Sequence, residues 1–163
     1  MIRHAELADL PELRRVYRAA KEYMDASGNP GQWVNGYPRE ELLREDIEQG
    51  RLYALCGEDG ALCGAFVLMD TPEPRYDRID GPGWRAATPY GTLHRIAGDG
   101  SRHGLFQEAM AFARARFDHL RIDTHADNRT MQHLILKSGF VYTGIVDYGP
   151  DGLRLAYDWI KEA

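Results

Sequence analysis

The architecture of this chain is best inferred from one segment, Ile96-Ala97-Gly98-Asp99-Gly100-Ser101-Arg102-His103-Gly104-Leu105-Phe106. An apolar strand ends here, a glycine-containing turn follows, and an apolar-periodic helix begins near Gly104. The first turn of a helix leaves backbone N–H groups without partners, and the helix dipole makes that end positive. Because glycines let a ligand approach the backbone closely, the segment is suited to a phosphate or pyrophosphate. It lacks the Gly-Lys-Ser/Thr ending of a P-loop, and taken alone such a segment is often only a turn.

The elements around this segment follow a pattern typical of an α+β domain. Periodicity and turn residues predict two helices early in the chain, then antiparallel strands, then two strand–helix units and two final strands. The predicted strands are 2–5, 52–56, 61–68, 92–97, 120–124, 140–146 and 153–159, and the predicted helices are 9–26, 38–49, 104–117 and 128–138. Residues 71–91 are predicted to be mostly loop. This order predicts one domain over 1–163, with a three-layer arrangement of a mixed, mostly antiparallel sheet and helices on both faces.

Composition and charge narrow the class of protein. The 163 residues are 44% hydrophobic and 28% charged, so the chain is large enough to bury a core without disulfides or metals. A formal net charge of -5 argues against a general nucleic-acid partner. No segment approaches the ~20 apolar residues of a membrane span, and the N-terminus has no apolar signal core. We therefore expect a cytoplasmic protein with no nucleic-acid or membrane partner, in which Cys56 and Cys63 are reduced thiols.

A second segment supports a functional interpretation of the first. It contains Asn128, then Ile135 seven positions later, then Lys137-Ser138-Gly139-Phe140. Together the two segments resemble the GNAT acyltransferase superfamily, in its cofactor loop (Gln/Arg-x-x-Gly-x-Gly/Ala) and its Asn…Gly-Phe helix and turn. The resemblance covers nearly the whole chain. It implies a GNAT-like fold and an N-acetyltransferase that uses acetyl-CoA as co-substrate, with no metal, to acetylate a primary amine of a small molecule or peptide.

The resemblance also assigns roles to backbone groups of both segments. The pyrophosphate of coenzyme A would be bound by the amides of Arg102, His103, Gly104, Leu105 and Phe106. The pantetheine arm would pair, like an extra strand, with backbone groups of Ile96, Ala97 and Gly98. Asn128 would hydrogen-bond the same arm.

Two departures from the family pattern affect these assignments. The final small residue of the cofactor loop is replaced by Phe106, so this side chain must turn into the core. Ile135 occupies the position at which many family members have a tyrosine that protonates the departing thiolate. Isoleucine cannot donate a proton.

Acetyl transfer needs a neutral amine, and a histidine with an ordinary pKa near ~6.5 is suited to deprotonate it. His94 is the first candidate, because it precedes the predicted thioester position on the central strand; a structural role in the core is the alternative. His125 is the second candidate, or it orders the loop before Asn128. Asp123, His125 and Asp127 alternate along the chain, but no second cluster completes a metal site, so no metal is predicted.

In this family, two long loops border the acceptor cleft. The corresponding loops here, between the first two predicted helices and over residues 71–91, carry aromatic residues. Trp33, Tyr37 and Trp84 are therefore candidate substrate-binding residues, with ordinary packing over the sheet as the alternative. The absence of an acid at Ile135 leaves a second function open, a catalytically silent acyl-CoA-binding or sensor module. A protein-binding module without cofactor is a third alternative. A homodimer through the C-terminal strands is compatible with the sequence.

Overall fold

The computed structural model describes residues 1–163 and contains the predicted elements in the predicted order. Four α-helices and seven strands are joined by connections that contain three 3₁₀ turns, and the longest connections are residues 27–39 and 70–90. The strands are β1 Ile2–His4, β2 Leu52–Cys56, β3 Leu62–Met69, β4 Gly91–Gly98, β5 His119–Thr124, β6 Val141–Asp147 and β7 Leu153–Ile160. The helices are α1 Leu10–Ala26, α2 Glu40–Glu48, α3 Leu105–Arg114 and α4 Arg129–Lys137. The 3₁₀ turns are Leu7–Asp9, Pro74–Tyr76 and Gly149–Asp151.

All seven strands form one sheet in the order β1-β2-β3-β4-β5-β7-β6. Every neighbouring pair is antiparallel except β4 and β5, which are parallel. This parallel ladder covers only Gly91 to Leu93 on β4 and Leu120 to Ile122 on β5. Beyond it, β4 continues to Gly98 with no strand beside it on the β5 side. The mixed, mostly antiparallel sheet is therefore confirmed, and it opens into a gap between its two central strands.

Helices cover both faces of the sheet, as predicted. Helix α1 buries Leu13, Val16 and further residues at helical spacing against the face that carries Leu52 and Val67. Helices α3 and α4 pack on the opposite face, in a second cluster of buried residues that includes Ile135. Cys56 and Cys63 are free and buried in these two clusters. None of the helices combines the length and apolar character that crossing a bilayer requires.

A bulge distorts β4 beside the gap. The β3–β4 register shifts between Ala65 and Val67, and Arg95 has a φ of 51°, in the left-handed region that non-glycine residues rarely occupy. The Arg95 guanidinium lies 2.8 Å from the fully buried carboxylate of Asp46 on α2. Its carbonyl oxygen accepts a hydrogen bond from the Tyr17 hydroxyl at 2.8 Å. These contacts hold the backbone of β4 in its distorted conformation where the sheet opens.

Candidate active site

A cavity of about 330 Å³ opens where β4 and β5 separate. Residues 93–96 of β4 and 122–124 of β5 form its floor, and the α1–α2 connection and the β6–β7 turn form its walls. Because the parallel ladder ends at Leu93 and Ile122, the next residues, His94 and Asp123, point to the same face of the sheet. The gap therefore brings these two ionisable side chains together at one end of the cavity.

The turn before α3 presents an open set of backbone donors. Gly104 caps the helix with a φ of 82° and contributes no side-chain cap. The backbone N–H groups of residues 102–107 have no acceptor in the protein. The side chains of Leu105 and Phe106 are buried in the core, as the sequence requires of Phe106. This helix start is thus free to bind an anion through its amides.

The side chains near this turn are largely engaged with each other. Asp99 accepts hydrogen bonds from the Ser101 backbone N–H at 2.9 Å and from its hydroxyl at 2.6 Å. The Arg102 guanidinium forms an ion pair with Glu108 at 2.7 Å, and the His103 side chain is exposed. The charge of Arg102 is therefore balanced within the protein, and the open amides remain the main anion-binding feature of the turn.

His94 lines the cavity and has a carboxylate behind it. Its Nε2 lies 3.4 Å from Oε2 of Glu73, and both side chains are largely buried. The hydrogen bond from His94 is the main cause that holds the pKa of Glu73 below its ordinary value, so this carboxyl is ionised. Glu73 itself is fixed by the Arg75 backbone N–H, which donates to Oε1 at 3.3 Å. A histidine oriented by a carboxylate is the arrangement that activates general bases in enzymes.

Asp123 lies on the other side of the gap and accepts two phenol hydrogen bonds. The Tyr76 hydroxyl donates to its Oδ2 at 2.6 Å, and the Tyr148 hydroxyl donates to the same oxygen. Burial is the main cause that raises the pKa of both tyrosines, which keeps them protonated as donors. Asp123 is consequently a fixed anionic group at the cavity wall.

Asn128 begins α4 and lines the same cavity, but its side chain is already engaged. Its Oδ1 accepts a hydrogen bond from the Met131 N–H at 3.0 Å, and its Nδ2 donates to Oε1 of Gln32 at 2.9 Å. His125 does not line the cavity; its Nδ1 accepts a hydrogen bond from the Asp127 N–H at 3.0 Å. The His125 ring therefore bonds within the loop before Asn128 and lies outside the cavity that His94 lines.

The three aromatic candidates have different environments. Trp33 and Tyr37 both line the cavity, with ring centroids 6.2 Å apart. Trp84, which the sequence analysis assigned to the acceptor cleft, lies outside the cavity lining. Its indole N–H donates to the Tyr76 carbonyl at 2.9 Å, and the Arg121 guanidinium lies 4.1 Å from the centre of one of its rings. Trp84 thus packs over the sheet near Arg121 of β5, which is the alternative to a substrate-binding role that the sequence left open.

Several residues of the cavity were not found from the sequence as site residues. Glu73 lies in the segment predicted as loop, and Asp123 was considered only for a metal site. No group of three or more His, Cys, Asp or Glu side chains is arranged to hold a metal ion. Tyr148 and Arg154 come from the β6–β7 region, for which the sequence predicted two strands but no site residue. Ile135 lies on the buried side of α4, in the core and outside the cavity lining.

No protein-family model and no curated protein matches the sequence. Among solved structures, a GNAT-family acetyltransferase from Streptococcus agalactiae 2603 is 31% identical with a TM-score of 0.85, over 100% of this chain and 96% of that protein. A GNAT-family acetyltransferase from Listeria monocytogenes 4b F2365 is 20% identical, with a TM-score of 0.71 over 98% and 94% of the two chains. RimJ of Mycobacterium smegmatis, in complex with CoA-disulfide, is 13% identical, with a TM-score of 0.63 over 98% and 80%.

Proposed function

Because the chain belongs to the GNAT family of acetyltransferases, we propose that it transfers the acetyl group of acetyl-CoA to a primary amine of a small molecule or peptide. The observation that carries this proposal is the open helix start of α3 beside the gap between β4 and β5. A donor set of free amides and a strand with one unpaired side together match the two ends of an acylated pantetheine diphosphate.

The binding part of the proposal uses backbone groups almost entirely. The amides of residues 102–106 are suited to the diphosphate, since none has a partner within the protein. Ile96, Ala97 and Gly98 follow the bulge at Arg95 and have no strand partner on the gap side, so their backbone groups are available to the pantetheine arm. The structure of a distant relative with CoA-disulfide bound supports the same ligand class.

The chemical part of the proposal uses His94 as the base. In the tautomer with Nε2–H directed to Glu73, Nδ1 carries the lone pair that accepts a proton from the amine. The thioester supplies an activated acyl group: the amine nitrogen forms a C–N bond to its carbonyl carbon, and the C–S bond breaks with its electron pair on sulfur. Glu73 stabilises the imidazolium that results, which is the role of the carboxylate partner in base-assisted acyl transfer.

The departing sulfur does not strictly need an acid. A thiol with a pKa near ~8.5 is a fair leaving group at neutral pH, and loss of a general acid costs about 10²–10⁴ in rate. The buried Ile135 is therefore compatible with an active enzyme.

Calorimetry with acetyl-CoA, followed by thiol release with a panel of amines, tests the proposal. We expect binding in the micromolar range and turnover of at least one amine, with His94→Gln reducing kcat about 10²–10⁴-fold. An exposed histidine outside the cavity, His133, provides the control substitution to Gln. Failure of acetyl-CoA to bind at millimolar concentration would refute the proposal.

The buried Ile135 favours one alternative function, a catalytically silent acyl-CoA-binding or sensor module. The same two measurements separate the candidates. The sensor would be supported if acetyl-CoA binds, no amine gives thiol release, and His94→Gln has no effect on acetyl-CoA binding.

A further inference from the structure

Three arginines of the cavity have no carboxylate partner. Arg39, Arg75 and Arg154 all line it, and none forms an ion pair with an acidic side chain. Arg95, by contrast, also lines the cavity but is neutralised by Asp46. The lining also contains Asp123 and Asp151, and neither carboxylate forms an ion pair with these arginines. Arginines therefore outnumber carboxylates in the cavity, although the whole chain has a formal net charge of -5.

Arg154 is the most informative of the three because it is 5% exposed. Its guanidinium donates to the backbone carbonyls of Asp151 at 2.8 Å, Leu153 at 3.0 Å and Gln32 at 3.3 Å. These contacts satisfy N–H groups but supply no negative charge. Burial of a cation without a counter-ion is unfavourable, which points to an anion that the cavity receives from outside.

Tyr148 links this cationic end to the anionic end of the cavity. The Arg75 guanidinium lies 4.4 Å from the centre of its ring and the Arg154 guanidinium lies 5.3 Å from it, while its hydroxyl donates to Asp123. The two arginines are therefore one aromatic ring away from Asp123, which is beside His94.

We propose that the acceptor is a small amine that also carries an anionic group, a carboxylate or a phosphate. This inference rests on the acetyl transfer proposed above. The amine lies at His94 and Asp123, beside the gap, and the anionic group lies at Arg75 and Arg154, with Arg39 at the rim. Simple polyamines are disfavoured, because their second cation would meet three arginines with no counter-ion.

Matched pairs of acceptors test the inference. An aromatic amino acid is compared with its primary amide, and phosphoethanolamine with ethanolamine, by kcat/KM for thiol release. The α-amine of the amino acid amide has the lower pKa, near ~7.7, so a larger fraction of it is neutral and reactive at neutral pH. A preference for the free amino acid can therefore arise only from contacts with its carboxylate. We expect the anionic member of at least one pair to be preferred by about tenfold or more.

Two variants assign that preference to the arginines. Arg75→Gln is expected to reduce it to below about threefold by raising KM for the anionic acceptor, because the charge-assisted contact is lost. Arg78→Gln, at an exposed arginine of the same segment outside the cavity, should leave the preference unchanged. Preference within the amino acid pair identifies a carboxylate, and preference within the ethanolamine pair identifies a phosphate.

The outcomes separate this inference from the proposed function. Equal rates for neutral and anionic acceptors, with no effect of Arg75→Gln, overturn the inference and leave acetyl transfer intact. If no amine is acetylated, calorimetry with the same acceptor pairs in the presence of CoA tests whether the cavity binds an anionic amine. Binding of an anionic amine that Arg75→Gln weakens supports the inference although catalysis fails, and no binding of any anionic amine overturns it.

Discussion

Replacement of Asp46 by Asn tests the link between the buried ion pair and the shape of β4. The Asp46 carboxylate is fully buried and lies 2.8 Å from Arg95 and 2.7 Å from Arg51. Removal of one partner of a buried pair costs about 3–5 kcal/mol, because the other charge stays buried. The Arg51 side chain is 23% exposed and escapes part of this cost, so the lower value, about 3 kcal/mol, applies. In a domain of this size each kcal/mol lowers Tm by about 2–4 °C, which gives a drop of about 6–12 °C.

The same substitution should also impair catalysis. Arg95 holds a left-handed conformation that costs about 1–2 kcal/mol in a non-glycine residue. Without the Asp46 carboxylate, fewer contacts hold the bulge at Arg95, and the backbone between His94 and Ile96 relaxes toward a regular strand. Because misplacement of reacting groups by 1 Å costs about 10²-fold, kcat/KM for acetyl-CoA should fall by about that factor at a temperature where the variant is folded.

Thermal unfolding by circular dichroism and steady-state thiol release measure the two effects. Asp118→Asn is the control, because its ion pair with Lys161 is 3.6 Å long and its side chain is 82% exposed. Exposed pairs contribute up to about 1 kcal/mol, so this variant should lose no more than about 4 °C. The reasoning fails if Asp46→Asn unfolds at the temperature of the control. A large loss of stability with unchanged kcat/KM would refute only the catalytic part.

Three further substitutions give outcomes that follow from single contacts. Because His94 lowers the pKa of Glu73, the contact between them stabilises the fold above the ordinary carboxyl pKa of 4.5, and this contribution is lost as the pH falls through the lowered pKa. The loss of stability caused by Glu73→Gln should therefore become smaller when unfolding is measured toward pH 3. Ile135→Tyr should destabilise the protein by about 1–3 kcal/mol through overpacking, and not raise kcat, because the site is fully buried. A methyl group added at Gly104 would meet no atom within 4 Å, so Gly104→Ala should reduce stability only by the strain of the left-handed backbone, about 1–2 kcal/mol. We expect the same substitution to weaken CoA binding in calorimetry.

Local signals in the sequence were sufficient for the elements that surround the gap. Gly139 has a φ of 86°, and the Phe140 N–H donates to the Ile135 carbonyl at 3.3 Å, so the Gly139-Phe140 turn after α4 is a Schellman ending. The helix start at Gly104 and the buried side chain of Phe106 were predicted for the same kind of reason. In each case the conformation depends on residues a few positions apart.

Contacts across long sequence separations could not be predicted in the same way. Glu73 reaches His94 because a 3₁₀ turn at Pro74–Tyr76 folds the loop over the sheet, and such a turn has no periodic apolar pattern. Trp84 was assigned by its position in a long loop, although its indole N–H bonds the backbone of Tyr76. Arg154 has no ion-pair partner because its guanidinium donates to the backbone carbonyls of Asp151, Leu153 and Gln32, an arrangement that composition does not reveal.

The short parallel ladder between β4 and β5 also has a consequence for protein dynamics. Strands β1 to β4 come from the first part of the chain and β5 to β7 from the last, and only three residue pairs join them across the sheet. A ligand that fills the gap would add backbone hydrogen bonds along this junction, so cofactor occupancy and opening of the sheet should be coupled. At a hundredfold excess over Kd, binding adds about 2.7 kcal/mol of stability. Amide hydrogen exchange should then slow on both sides of the junction, and the unliganded protein should open there first.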